Sequence, residues 1–529
     1  MSGDGYILAA LLLFSTATIP ARAEQPSSPA INRSNLCSSN LTTPTEADNA
    51  LVSDNYATAE RLFRAELLSN PNSEDSHLGL VRALTLENKV AKAQAESASW
   101  LIQSPSSALA EVAAGEIAYR EADIASAQDH ANKAITDNHC EGRSLAFSAD
   151  ISLLAGLYAR ETNLINLAHR LRPNDELIRR SWIFSLPFPD RANALTQYLS
   201  ETQNLSVSDR ENYATEVERL NLRQPGDCRI TSQFTTTQLP LKRFTNEGAN
   251  FYALNTSFNG RPRRLEVDSG ASGIVLTLAT AKKLGLHPEV QLYSVGVGGK
   301  GRVDSYLTHV ANIRIGDLEF SNCLVEVLEK SQLNADGLIG INLFAHWLVT
   351  LDYPNSELLL TPLPHRPDVD PTAIADEEDQ PLDRYIAPEM QNWLHILRVG
   401  HMLLLPARLD QGPMHYVIAD TGSSQTTLSL SLATESHRAY ADPDNHFWGI
   451  SGDIQQVYRV DHATLRFGAF QLPPASYNAF DLGNILHYTG LEVSGLIGLP
   501  TLSRMTISID YRDNLMQLTY NPRYAVSRF

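Results

Sequence analysis

Two short stretches constrain this chain more than anything else in it: Val267-Asp268-Ser269-Gly270-Ala271-Ser272 and Ala419-Asp420-Thr421-Gly422-Ser423-Ser424. They stand 152 positions apart (420 − 268), each behind an apolar, strand-like run. A second echo follows each at a similar interval, Asp336-Gly337-Leu338-Ile339-Gly340 in one case and Ser494-Gly495-Leu496-Ile497-Gly498 in the other. A third pair closes the series, Thr350-Leu351-Asp352-Tyr353 against Ser508-Ile509-Asp510-Tyr511. The C-terminal half is one unit written twice, and each copy brings one acidic residue on a tight glycine turn. Two carboxylates about 3 Å apart cannot both ionise, so they share one proton and can offer a single water both a base and an acid. A glycine turn with a capping aspartate is the plain alternative for either copy alone; two copies in register argue against it.

The paired motifs resemble the active-site loops of aspartic peptidases, and the Leu-Ile-Gly segments resemble that family's hydrophobic-hydrophobic-Gly element. The lobes are short and each has a Gly-rich hairpin of its own. The resemblance is therefore to a retropepsin-like dimer fused into one chain rather than to a pepsin, and it covers roughly residues 240–525. It implies a dyad of Asp268 and Asp420 shaped by Ser269, Gly270, Thr421, Gly422 and Ser423, with the Ser269 and Thr421 hydroxyls bonding across to the opposite loop's backbone. Gly270 and Gly422 leave the loops room to meet. Ser423 has no counterpart in the first loop, where Ala271 stands. A hydroxyl donated to Asp420 would favour its ionised form, which places the shared proton on Asp268 as an expectation. Asp336, opposite Ser494, reads as a turn or cap residue.

Gly296-Val297-Gly298-Gly299-Lys300-Gly301 has the spacing of a dinucleotide-binding fingerprint, but the alternating run Arg302–Val310 follows it where a helix is required. A hairpin flap that closes over substrate fits better, with Trp448-Gly449-Ile450-Ser451-Gly452 as its partner in the second lobe. The flap candidates are Gly296, Gly298, Gly299, Gly449 and Gly452.

The first half carries a different period. Pro71, Pro105 and Pro173 lie on a 34-residue grid, shared by Ala57, Ala91, Ala125 and Ala159 and by Leu67, Leu101 and Ile135. Small residues permit close helix approach, large ones fill the groove, and proline stops each second helix. The pattern resembles the tetratricopeptide repeat: about four helix pairs over residues 47–180, a degenerate fifth at Ala192–Leu199, then a polar exit to Asp227. Such arrays bind peptides or serve as spacers.

The expected organisation is multidomain, an N-terminal all-α helical-repeat solenoid followed by an all-β bilobal aspartic-protease fold. Residues 1–23 read as a signal peptide, with an apolar run Ile7–Ile19 ending at Ala21-Arg22-Ala23, although Asp4 replaces the usual basic start. The remaining segments are a disordered linker (24–44), the repeats (45–225), lobe 1 (240–362), an acidic Pro-rich linker (363–388) and lobe 2 (389–525). The second linker contains six prolines and the run Asp376-Glu377-Glu378-Asp379, which reads as exposed. Four cysteines allow three full pairings; a disulfide is expected within Cys37, Cys140 and Cys228, with Cys323 as a small buried hydrophobe. A net charge of −18 over 529 residues disfavours nucleic acid. Scattered histidines suggest no metal site, and the chemistry calls for no cofactor.

These features point to an exported endopeptidase, periplasmic or secreted. Its substrate would be a peptide or protein, with a possible protein partner on the repeats and no stable membrane insertion after signal cleavage. The rival is a non-catalytic peptide-binding or scaffold protein that uses the repeats and a protease-like fold.

Overall fold

The structure, a computed structural model, describes residues 37–520 apart from 224–226, 233–234, 247–248, 299–301, 331–332, 334 and 368–380. The expected signal peptide, most of the first linker, Gly299 and the acidic run 376–379 lie outside the described residues. The rest forms two compact units.

The helical unit follows its sequence period. Helices start at Glu74, Ala108, Gly142 and Glu176 on one side of each pair, and at Tyr56, Val90, Ile124 and Tyr158 on the other. Within each set the starts are 34 residues apart, as a repeat array requires. Of the periodic alanines, Ala57, Ala91 and Ala125 are exposed and Ala159 is half-buried, whereas Ala59, Ala93 and Ala127, two positions on from the first three, are fully buried where helices touch. Side chains cap most N-termini, as when Ser107 accepts from the Ala110 N–H and Asp175 from that of Ile178. The fifth pair is complete, Glu176–Ser185 with Phe188–Glu201, and the expected polar exit instead forms a 16-residue helix, Val207–Leu222. Its Leu220 is buried, so one apolar face was enough to order a segment that reads as polar. The part of the first linker that is described, residues 37–44, is tied down by the Cys37–Cys140 disulfide and by the Asn40 N–H donating to the Leu171 carbonyl. No described helix is long and apolar enough to cross a membrane.

The other unit is β-rich and duplicated. Strands build both lobes, among them Ala249–Phe258, Arg261–Asp268 and Val303–Ile315 in the first and Met402–Leu409 and His415–Asp420 in the second. In each lobe the motif strand runs parallel to its Leu-Ile-Gly strand, pairing Asp268 with Gly340 and Asp420 with Gly498. The chain then turns and comes back antiparallel on the other side of that strand, through Ile274–Thr277 or Thr427–Ser429. The turn carrying each aspartate is thereby clamped at both ends.

A six-stranded sheet joins the lobes. At its centre Leu348–Asp352 pairs antiparallel with Met505–Asp510, and Thr350 faces Ser508 with their hydroxyls 2.9 Å apart. The third echo is this joint. One buried cluster runs through both lobes, from Leu254, Val267 and Phe344 to Val417, Ile497 and Ile509. Cys323 is not a free hydrophobe as expected: it is disulfide-bonded to Cys228, because the pairing of the segment Arg229–Ile230 with the strand Leu318–Leu328 brings the two together. The described ends of the second linker are likewise anchored. Buried Arg366 is ion-paired with Asp513 at 2.9 Å, and Asp513 also accepts from the Tyr385 N–H.

Candidate functional site

The two aspartate turns meet through four reciprocal hydrogen bonds. The Ser269 N–H donates to Thr421 Oγ1 and the Thr421 N–H to Ser269 Oγ, both at 2.9 Å. Each hydroxyl in turn donates to a carbonyl of the opposite strand, Ser269 to Ala419 at 2.7 Å and Thr421 to Val267 at 3.1 Å. Both residues are buried, so every member of this network is satisfied away from water.

The network sets the carboxyls side by side, close enough to hydrogen-bond to each other. The Gly270 N–H donates to Asp268 Oδ1 at 2.7 Å, and the Gly422 and Ser423 N–H groups to Asp420 Oδ1 at 3.0 and 3.1 Å. The glycines are required by space. A Cβ on Gly422 would lie 2.4 Å from Asp268 Cγ, and one on Gly270 2.9 Å from Asp420 Oδ1.

The carboxyls are not equivalent. Burial raises both, but Asp420 is pushed well above the ordinary range, by burial and then by the charge of Asp268. Asp268 is raised less, because burial is opposed by the Gly270 N–H, the Asp420 carboxyl and the neighbouring His401. The pair titrates as a unit, and the hydroxyl support expected from Ser423 is absent. The reason is geometric: the Ser423 hydroxyl donates to the Gln425 carbonyl at 2.8 Å, and only its backbone N–H reaches Asp420.

His401, on a hairpin turn of the second lobe, reaches across to the Gly270 carbonyl, with Nε2 3.0 Å from the oxygen. Sequence reasoning missed it, since a lone histidine in a turn carries no signal. It also passed over Glu266, two residues before Asp268, because a charge there reads as the solvent-facing position of the alternating strand Arg261–Asp268. Asp336 accepts from the Arg264 N–H at 2.9 Å and the Thr280 hydroxyl at 3.2 Å, tying the strand Arg261–Asp268 to the helix Leu278–Leu284.

Residues 296–298 of the first glycine-rich hairpin meet the second at Gly449–Gly452. The Gly296 N–H donates to Ser451 Oγ and the Ser451 N–H to the Val297 carbonyl, both at 3.0 Å, while Asn484 donates to the Gly298 carbonyl at 2.9 Å. A Cβ on Gly449 would fall 1.9 Å from the Val297 oxygen, and one on Gly296 2.1 Å from Ile450 Cγ2. Gly298 and Gly452 adopt φ of 140° and 99°, where side chains are disfavoured. Ile450 packs on a small apolar cluster that contains Ala271 of the first aspartate turn.

Residues 254–343 match the family model described as aspartyl protease, a span that includes Asp268 and Leu338-Ile339-Gly340. Over 93 residues the chain is 31% identical to Protein DDI1 homolog 1 of Caenorhabditis elegans, which covers 17% of this chain and 23% of that protein. Over 139 residues it is 29% identical to DNA damage-inducible protein 1 of Eremothecium gossypii, covering 24% and 28%. The chain thus spans about a quarter of the length of these curated relatives. Among solved structures, an aspartic proteinase from Irpex lacteus is 13% identical with a TM-score of 0.33, covering 54% of this chain and 98% of its own. A retropepsin-like aspartic protease from Rickettsia conorii is 22% identical with a TM-score of 0.19, covering 25% and 94%.

Proposed function

We propose that this protein is an aspartic endopeptidase whose dyad is Asp268 and Asp420, with both halves supplied by one chain. The observation that carries the reading is the reciprocal Ser269–Thr421 network, which sets two buried carboxyls side by side. A water between them loses a proton to Asp268 as its oxygen attacks the peptide carbonyl carbon, while the Asp420 proton passes to the carbonyl oxygen. Collapse of the tetrahedral intermediate breaks the C–N bond: the proton held on Asp268 goes to the leaving nitrogen, and Asp420 takes back a proton from a hydroxyl of the intermediate as C=O re-forms. Gly296, Gly298, Gly449 and Gly452 belong to flaps that part to admit substrate and close to exclude water. The helical repeats dock a partner or the substrate, and the protein is exported. The apolar run before Ala23 and the two disulfides support export.

Asp268→Asn and Asp420→Asn test the reading. Each is expected to lower peptide hydrolysis by at least about a hundredfold, the lower end of what acid–base catalysis contributes, with circular dichroism unchanged. Pepstatin should inhibit the wild type. Either variant keeping more than about a hundredth of the activity refutes the dyad.

A further inference from the structure

Along the strand Arg261–Asp268 side chains alternate between two faces. Leu265 and Val267 enter the core, so Glu266 shares a face with Asp268. Its residue is 7% exposed, and no hydrogen bond or ion pair to its carboxyl is found among the described residues. The charges that act on it are those of Asp268 and Asp420, both acidic. Across the sheet its registered neighbours are Ala253 and Leu338. Leu338 belongs to the same apolar cluster as Ala271 and Ile450 of the opposing hairpin. Arg264, two residues back, is exposed and lies over the Phe244 ring at 5.1 Å.

The second lobe has no equivalent. Ile418 stands two residues before Asp420, and its registered neighbours are Leu404 and Leu496. One side of the dyad is therefore wholly aliphatic, and the other pairs a carboxyl with the smaller Ala253.

A buried carboxyl without a partner is relieved by holding a proton or by meeting a cation. In the free protein the proton is the solution: burial and the adjacent aspartates push Glu266 to about 9. A lysine or arginine side chain entering the cleft supplies the other, as a charge-assisted pair shielded from water. Two aspartates nearby reinforce the attraction.

We propose that Glu266 is a specificity-determining residue that receives a cationic side chain on one side of the scissile bond, while Leu404, Ile418 and Leu496 receive an aliphatic one on the other. The preferred substrates are then peptides with lysine or arginine next to the cut and a leucine-like residue across it. This rests on the dyad reading above.

The test uses the full chain and matched peptides that differ only in carrying Lys, Arg, Leu or Glu at each residue flanking the cut. Wild type is expected to cleave the best Lys or Arg peptide at least about tenfold better in kcat/KM than its Leu counterpart. Glu266→Gln, and Glu266→Ile in imitation of the second lobe, should bring that ratio to about one or below. Binding of the same peptides to Asp420→Asn, read by fluorescence anisotropy, should show the same preference and lose it when Glu266→Gln is added. A wild type that prefers leucine on both sides, or a ratio that Glu266→Gln leaves intact, overturns the proposal. No cleavage at all, with a Glu266-dependent binding preference retained, supports the pocket and overturns the hydrolase reading instead.

Discussion

At the scale of single residues, the proposed acid and base roles rest on what surrounds each carboxyl. Both pKa values lie above the ordinary aspartate value, Asp420 by more than Asp268. Activity needs one proton on the pair. Falling pH protonates Asp268, and because its pKa is raised the acidic limb of kcat/KM should lie above that of an unperturbed aspartate. Rising pH strips Asp420, whose larger shift carries the basic limb further up. The two limbs report the pair as a whole. His401→Gln removes a favourable influence beside Asp268, so the acidic limb should move to higher pH. Ser423→Ala should leave it in place, because that hydroxyl serves the Gln425 carbonyl. A pH–rate profile shifted by Ser423→Ala and untouched by His401→Gln would reverse the assignment. The sequence shows that a serine follows Gly422; it does not show where the hydroxyl points, since that is a choice of rotamer made by the nearest free carbonyl.

Among the elements, the proposed flaps are the two glycine-rich hairpins. The second-lobe hairpin, Phe447–Gly449 with Gly452–Ile454, forms a two-stranded sheet of its own, so its opening leaves the lobe sheet intact, whereas the first is flanked by Val290–Ser294 and Val303–Ile315 of the nine-stranded sheet. Gly449→Ala drives a Cβ into the Val297 carbonyl and should part the tips. We expect kcat/KM to fall by about tenfold, or about 1.4 kcal/mol of transition-state stabilisation, mainly through KM, with the melting temperature nearly unchanged. Loss of fold instead of affinity would mark the tip contact as structural. Glycine spacing made the hairpins visible in the sequence. Their mutual contact was not, because it joins residues about 155 positions apart.

For the whole β-rich unit, the shared sheet and continuous core make two lobes one body. Both aspartates belong to one chain, so specific activity should stay constant over a roughly thousandfold dilution, whereas a site assembled from two chains would lose activity as it dissociates. Leu351→Pro, which breaks the central ladder between the lobes, should abolish activity together with cooperative unfolding of this unit. Activity surviving with the fold intact would show that the joint is dispensable.

Local rules sufficed for much of this protein. The 34-residue period specified helix pairs because a repeat packs only on its neighbours, and alternation specified strands because side chains must sort between core and solvent. The duplicated motif announced two acidic turns for the same reason: each glycine and each apolar strand is a short-range requirement. Tertiary structure alone decided the rest. The order of the terminal helix Val207–Leu222, the Cys228–Cys323 bond, the joint at Thr350 and Ser508, His401 at the Gly270 carbonyl and the raised pKa values of the two aspartates all depend on which distant segments come to lie together. Burial and charge at a point are sums over those neighbours, and a linear sequence does not contain them until the chain has folded.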